Sequence, residues 1–149
     1  MMGAFRNWLL LACCLFGLAA WGYHAYLLAW PKRVLVVLDN AYPMAPVWDR
    51  VPALLRSLSG ARYTLYALAT DKGPVHGWQP VLDLGATQPY APRDLSDLSR
   101  RIPAAWQSAA TATWLITNAA PAELPTDGDW RVVPVGPAVT PLSNESRTR

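Results

Sequence analysis

Cysteine is missing from everything beyond the first apolar segment: Cys13 and Cys14 are adjacent and both lie within it, so the rest of the chain has neither a disulfide nor thiol chemistry. Inside an apolar helix the pair reads as small filler. An excess of basic charge is missing too. The formal net charge is +3, yet Arg6, Lys32 and Arg33 carry all of it, and from Val34 onward ten Lys/Arg face ten Asp/Glu. A neutral domain has no basic face to hold phosphate backbones, which excludes nucleic acid as its partner. There is no internal repeat and no low-complexity tract, and Lys72 is the one lysine after the membrane flank. At 149 residues, about half of them apolar, the chain has material for a single core and one extra element.

That extra element comes first. Residues 8–30 contain no charged side chain. Such a run of roughly 23 residues, at about 1.5 Å each, crosses a hydrocarbon core of about 30 Å. Trp8 at one end and Trp21, Tyr23, Tyr26 and Trp30 toward the other sit where bilayer interfaces favour aromatic rings. Gly17-Leu18-Ala19 offers a signal-peptidase site and Leu11-Ala12-Cys13 a weaker lipoprotein one, but the apolar run continues well past both, so a retained anchor over residues 1–32 is expected. Arg6 and the amino terminus oppose Lys32 and Arg33; we expect the amino terminus in the cytoplasm and the domain in the periplasm of a bacterium, at its inner membrane. His24, between Tyr23 and Tyr26, reads as an interfacial side chain, and Cys13, Gly17 and Ala20 form a short stripe that permits close helix packing.

Residues 33–136 have the rhythm of an α/β domain. Arg33-Val-Leu-Val-Val-Leu-Asp39 is an unbroken apolar run closed by a carboxylate, the pattern of a strand buried on both faces of a parallel sheet. Its last residue then stands at the carboxyl end, where open α/β sheets place their ligand sites. Helical spacing over residues 45–59, with Pro52 moving the true start or kinking it, leads to Gly60 and a second strand over residues 62–69. Residues 70–80 read as a loop, 81–84 as a short antiparallel edge strand, and 94–106 as a helix with Leu95, Leu98 and Ile102 on one face. Buried strands are expected at residues 113–117 and 130–136, and a loose polar tail at 137–149. Alternating strands and helices predict a small, mostly parallel, Rossmann-like sheet with flanking helices.

The strand ending at Asp39, the Tyr42-Pro43-Met44 turn, the helix, the strand Arg62-Tyr-Thr-Leu-Tyr-Ala-Leu-Ala69, and Thr113-Trp-Leu-Ile-Thr117-Asn118 followed by Trp130-Arg-Val-Val-Pro-Val-Gly136 resemble, in order, the von Willebrand factor type A (vWA-like) domain. The resemblance covers residues 33–136 and implies a truncated version, without the end of the family's sheet and its final helix. It also implies a degenerate metal-ion-dependent adhesion site. In the family, a divalent cation is held by the first-strand Asp, two serines, a middle-loop threonine and an Asp after the fourth strand. Asp39 matches, but Ala41 and Pro43 replace the serines and Asn118 replaces the last acid; Thr70 or Thr87 are the threonine candidates. Magnesium needs charge and octahedral oxygen ligation, so no cofactor is expected, with Asp39 the one weak metal candidate. Without a cation, Asp39 is expected to cap loop N–H groups or pair with an arginine.

An aspartate at a strand end is also where phosphotransfer enzymes keep a nucleophile, but the second acid expected two residues later is Ala41. His76 lacks a Cys, Ser or acidic partner at recognisable spacing, which makes it a loop residue before it is a base. Trp106, Trp114 and Trp130 fit core positions, whereas Tyr42, Trp48 and Trp78 are expected to gather on the loops at the far edge of the sheet as an aromatic contact patch. The leading expectation is therefore a membrane-anchored module that binds a protein partner through Asp39, Asn40, Tyr42, Trp48, Asp71, His76, Trp78 and Asn118, as an accessory or assembly factor for a periplasmic or membrane enzyme complex. A small Asp39-dependent hydrolase or phosphotransferase, and a structural subunit working through its membrane helix, are the alternatives.

Overall fold

The computed structural model of the protein describes residues 2–136. The expected tail at 137–149 lies outside them. Helix α1 (Met2–Ala29) is apolar around its whole circumference, and its stretch Phe5–Ala29 is long and apolar enough to cross a membrane. None of that window is buried against protein, so Trp8, Phe16 and Trp21 are all more than 70% exposed. A helix with no polar face and no protein cover needs an apolar solvent, which is consistent with membrane anchoring. Pro31, which cannot continue a helix, separates it from strand β1 (Lys32–Leu38).

Strands β2 (Thr64–Thr70), β3 (Gly73–Gln79), β4 (Ala112–Thr117) and β5 (Arg131–Pro134) complete a five-stranded sheet of order β3-β2-β1-β4-β5. Strand β1 is central and parallel to both neighbours, β5 is parallel to β4, and β3 alone is antiparallel. Side chains alternate across a strand. Val34, Val36 and Leu38 accordingly enter one core layer with Met44, Val47, Val51 and Leu55, while Leu35 and Val37 enter the other with Leu95, Leu98 and Ile102. The helices divide in the same way. The β1-to-β2 connection, a 3-10 helix (Tyr42–Arg50) followed by α2 (Val51–Leu58), covers the first face; α3 (Leu98–Arg101), on the return from β3 to β4, covers the second and α4 (Ala104–Ala109) follows it. The chain thus leaves β1 in one direction and returns past it in the other, so the loops after β1 and β4 part at a topological switch point.

Three details differ from the sequence reading. Residues 81–84 are not a strand; the edge strand is β3, in the segment expected to be a loop. Its Gly73-Pro74 opening and Gly77 look like loop chemistry, but proline is tolerated on an edge strand whose outer side lacks a partner. Leu82 and Leu84 are buried nonetheless, plugging the first core layer from an irregular segment. The helix expected over residues 94–106 is two short pieces, because Pro103 carries no N–H for a helical hydrogen bond and Asp97 has a positive φ of 54°. The helix expected over residues 45–59 becomes regular only at Val51, with Pro52 in its first turn where proline is favoured.

Candidate functional site

At the switch point, the carboxyl ends of β1 and β2 each deliver a fully buried carboxylate, Asp39 and Asp71. Asp39 leaves no acceptor idle. Its Oδ1 accepts the Ala41 N–H at 3.0 Å; its Oδ2 accepts the Arg93 Nε–H at 2.8 Å and the Thr117 hydroxyl at 2.6 Å. It therefore caps a loop and pairs with an arginine at once. The Thr117 hydroxyl in turn accepts the Ala119 N–H at 3.0 Å, which fixes its orientation.

Arg93 is the hub. Beyond Asp39 it donates through Nη1 to Glu123 at 2.7 Å and through Nη2 to the Asn118 side-chain oxygen. Asn118 closes the ring by donating its Nδ2 to the Pro43 carbonyl at 2.7 Å. One planar guanidinium thereby ties the loops after β1 and β4 to the segment preceding α3. That segment is held in register by two backbone bonds, Tyr90 N–H to the Asn40 carbonyl at 2.7 Å and Tyr42 N–H to the Ala91 carbonyl at 3.0 Å.

Asp71 repeats the theme one strand over. It accepts the Asn40 N–H at 3.3 Å and pairs with Lys72 Nζ at 2.6 Å, and its backbone carbonyl accepts from Arg101 at 3.1 Å. Arg101 also pairs with Asp94. The Ser96 hydroxyl and then Arg101 hold the Asp94 carboxyl down to about 2, from an ordinary 3.8, and the Ser99 hydroxyl similarly lowers Asp127. Lys72, Arg93 and Arg101 each have a carboxylate against them.

Both Asp39 oxygens are engaged by N–H and O–H donors, a guanidinium stands where positive charge is required, and Ala41 and Pro43 bring no hydroxyl. Among the described residues no three His, Cys, Asp or Glu side chains converge on a point. The donor set does not fit a divalent cation of the kind the type A resemblance implies.

Beside the network lies an open cleft of about 760 Å³ between the β2–β3 hairpin and residues 85–90. Asn40, Thr70, His76 and Thr87 line it. The Asn40 side-chain oxygen is buried with no partner among the described residues. His76 lies against Gly85, whose φ of +58° is one that residues with a side chain rarely adopt and where an added Cβ would come within 3.3 Å of the His76 Nε2. Of the residues singled out from sequence, Asp39, Asn40, Asp71 and Asn118 meet in one network and His76 borders it. The aromatic patch does not form. Trp48 packs against the first core layer and Trp78 against the second, with Trp106 6.4 Å away and Arg33 over its ring, so the two lie on opposite faces of the sheet. Trp78 belongs near the helix-proximal end of β3, one residue before Gln79, which pairs with Tyr66. Tyr42 does stand out at the rim, 62% exposed, and its companion is Tyr90, 51% exposed.

Arg93, Thr117, Lys72 and Tyr90 were not singled out from the sequence. The neutral charge balance says that a buried aspartate finds a base in the domain, but no spacing rule distinguishes Arg93 from the others. In comparisons with known proteins the chain matches no family model, no curated protein and no solved structure.

Proposed function

We propose that this chain is a single-pass, membrane-anchored, vWA-like protein-binding module, an accessory or assembly factor for a periplasmic or membrane enzyme complex, with its domain on the periplasmic side of the inner membrane. The observation that carries the reading is the Asp39–Arg93 network. Its carboxylate is fully buried with both oxygens engaged in holding loops, which argues against a nucleophile, and the rim it stabilises is cross-linked by hydrogen bonds and ion pairs. Rigid loops with exposed aromatic side chains are what a protein interface uses, since preformed geometry lowers the cost of association. Support for the type A likeness comes from position: the first-strand Asp39 is central in the sheet, and Asn118, after the fourth strand, meets it through a shared arginine.

The test is affinity purification of the tagged full-length protein from native membranes, comparing wild type with the Tyr42→Ala/Tyr90→Ala pair. We expect a specific partner to be lost from the double variant while its melting temperature stays unchanged, because both side chains are surface residues. Undiminished capture refutes the rim. Capture that survives deletion of everything after Arg33 instead establishes the reading in which α1 is the working part, and the observation in its favour is that none of its spanning window is buried in the domain.

A further inference from the structure

We propose that the helix-proximal end of the domain is seated on anionic phospholipid headgroups, gripped by a collar of basic side chains around an apolar groove. The inference rests on α1 spanning a membrane.

Most cations of the domain fall into two groups; Arg50, which donates to the Gly136 carbonyl at 2.7 Å, and Arg131, 5.8 Å from the centre of the Trp114 ring, belong to neither and form no ion pair among the described residues. At the far rim Lys72, Arg93 and Arg101 pair with Asp71, Asp39 and Asp94, and Arg100 lies 3.5 Å from Asp97. At the end where α1 enters, Lys32, Arg33, Arg56 and Arg62 are exposed and form no ion pair among the described residues. The fold gathers these four. Lys32 and Arg33 open β1, the Lys32 N–H bonds the carbonyl of Tyr63, the residue after Arg62, at 2.9 Å, and Arg56 lies in the last turn of α2. In sequence no acid stands between Asp49 and Asp71, between Lys72 and Leu82, or between Leu98 and Ala122; Asp83, two residues beyond Val81, and Asp129, whose carbonyl accepts the Thr113 hydroxyl near the start of β4, form no ion pair with the four among the described residues. Four bases without an ion-pair partner among the described residues thus share the end of the domain from which α1 departs.

The same end carries an apolar groove of about 420 Å³ between Leu27, Leu28 and Pro31 at the helix end and Tyr63, Leu65 and Val81 on the domain. Arg62 lines it too, its guanidinium 5.0 Å from the centre of the Tyr63 ring. The His24 ring bonds the Tyr63 hydroxyl, which fixes the domain against the helix at this depth. Trp30, 71% exposed, marks the level of the bilayer interface. An apolar slot with a guanidinium at its side, opening at the headgroup layer, matches a phospholipid: acyl and glycerol portions in the slot, phosphate on Arg62. Unpaired bases at such a surface each raise the preference for anionic lipid about fivefold. This also explains why the bases need no carboxylate partners within the domain.

The experiment reconstitutes the full-length protein into nanodiscs of phosphatidylcholine, with and without phosphatidylglycerol, and follows amide hydrogen exchange at residues 60–65 and 79–82. We expect slower exchange there only with phosphatidylglycerol, reversal in high salt, and loss of the difference in a Lys32→Gln/Arg33→Gln/Arg56→Gln/Arg62→Gln variant. Inorganic phosphate added to the phosphatidylcholine discs should not reproduce it. Equal exchange in both lipids, with the protein properly incorporated, overturns the collar and leaves the membrane span standing. Failure to incorporate into either lipid overturns the span and the collar together. Protection by inorganic phosphate alone replaces the lipid with a soluble anion and overturns the proposal.

Discussion

Arg93 does with one side chain what a bound ion does elsewhere: it brings together oxygens from Asp39, Asn118 and Glu123 that lie far apart in sequence. Because Asp39 is fully buried, removing its cation leaves an uncompensated charge away from water, and this penalty dominates whatever the pair itself gains. Arg93→Ala should therefore cost about 3 kcal/mol or more in denaturant unfolding. Changing both partners, Asp39→Leu with Arg93→Met, should recover much of the loss, since an apolar pair leaves nothing charged behind. If the double variant is no more stable than the single one, the network's hydrogen bonds rather than its charges hold the loops. The residue scale is also where the sequence spoke least. Asp39, Asn40, Asp71 and Asn118 were legible because they end buried strands or directly follow them, and period and burial locate strand ends. Arg93 and Tyr90, which join Asp39, Asn118 and Asn40, sit on an irregular segment, Gln88-Pro-Tyr-Ala-Pro-Arg93, whose path is set by tertiary hydrogen bonds that no local pattern encodes.

At the scale of elements, the central strands were legible for a physical reason: β1 and β4 hold short apolar runs of the kind that burial on both faces accounts for, and β2 announces itself by an alternating, aromatic-rich pattern. The edge was not, because an edge strand needs only one hydrogen-bonded side and tolerates Gly and Pro. Helix α3 shows the opposite failure. Its apolar spacing was right, and Leu95, Leu98 and Ile102 are buried as it requires, but the backbone between them is barely helical. A four-residue helix has no stability of its own. It is held instead by Leu98 in the core and by the Asp94–Arg101 pair, whose Arg101 also reaches the Asp71 carbonyl. The Asp94 carboxyl sits near 2 when folded against an ordinary 3.8, so its contribution is complete above about pH 4 and vanishes as pH falls toward 2. Asp127, lowered by Ser99, acts in the same direction. Between pH 4 and 2 we expect this segment to lose hydrogen-exchange protection ahead of β1, and Asp94→Asn to flatten part of that pH dependence. Equal acid sensitivity in the variant would assign the effect wholly to Asp127 and other carboxylates.

At the scale of the whole molecule, two bodies suited to different solvents meet at Pro31. Helix α1 lends no side chain to either core layer, and none of its spanning window is buried. The sheet closes both its layers with its own connections, α2 on one face and the α3 segment on the other. Stability of a domain follows the apolar surface it removes from water, so a part that contributes none to the core should be dispensable for folding. A fragment beginning at Pro31 should unfold cooperatively, with a denaturant midpoint close to that of the domain in the full-length protein in detergent. Among the described residues the His24–Tyr63 bond is the one side-chain hydrogen bond it forfeits, and losing a half-exposed hydrogen bond costs about 1 kcal/mol. A fragment that is molten or aggregated would mean that the groove between Leu27, Leu28 and Tyr63 is part of the fold and not merely of its seating. In that case the membrane would act as a structural layer of the domain, since the strand that begins β1's pairing, Lys32 against Thr64, would depend on a helix held in lipid.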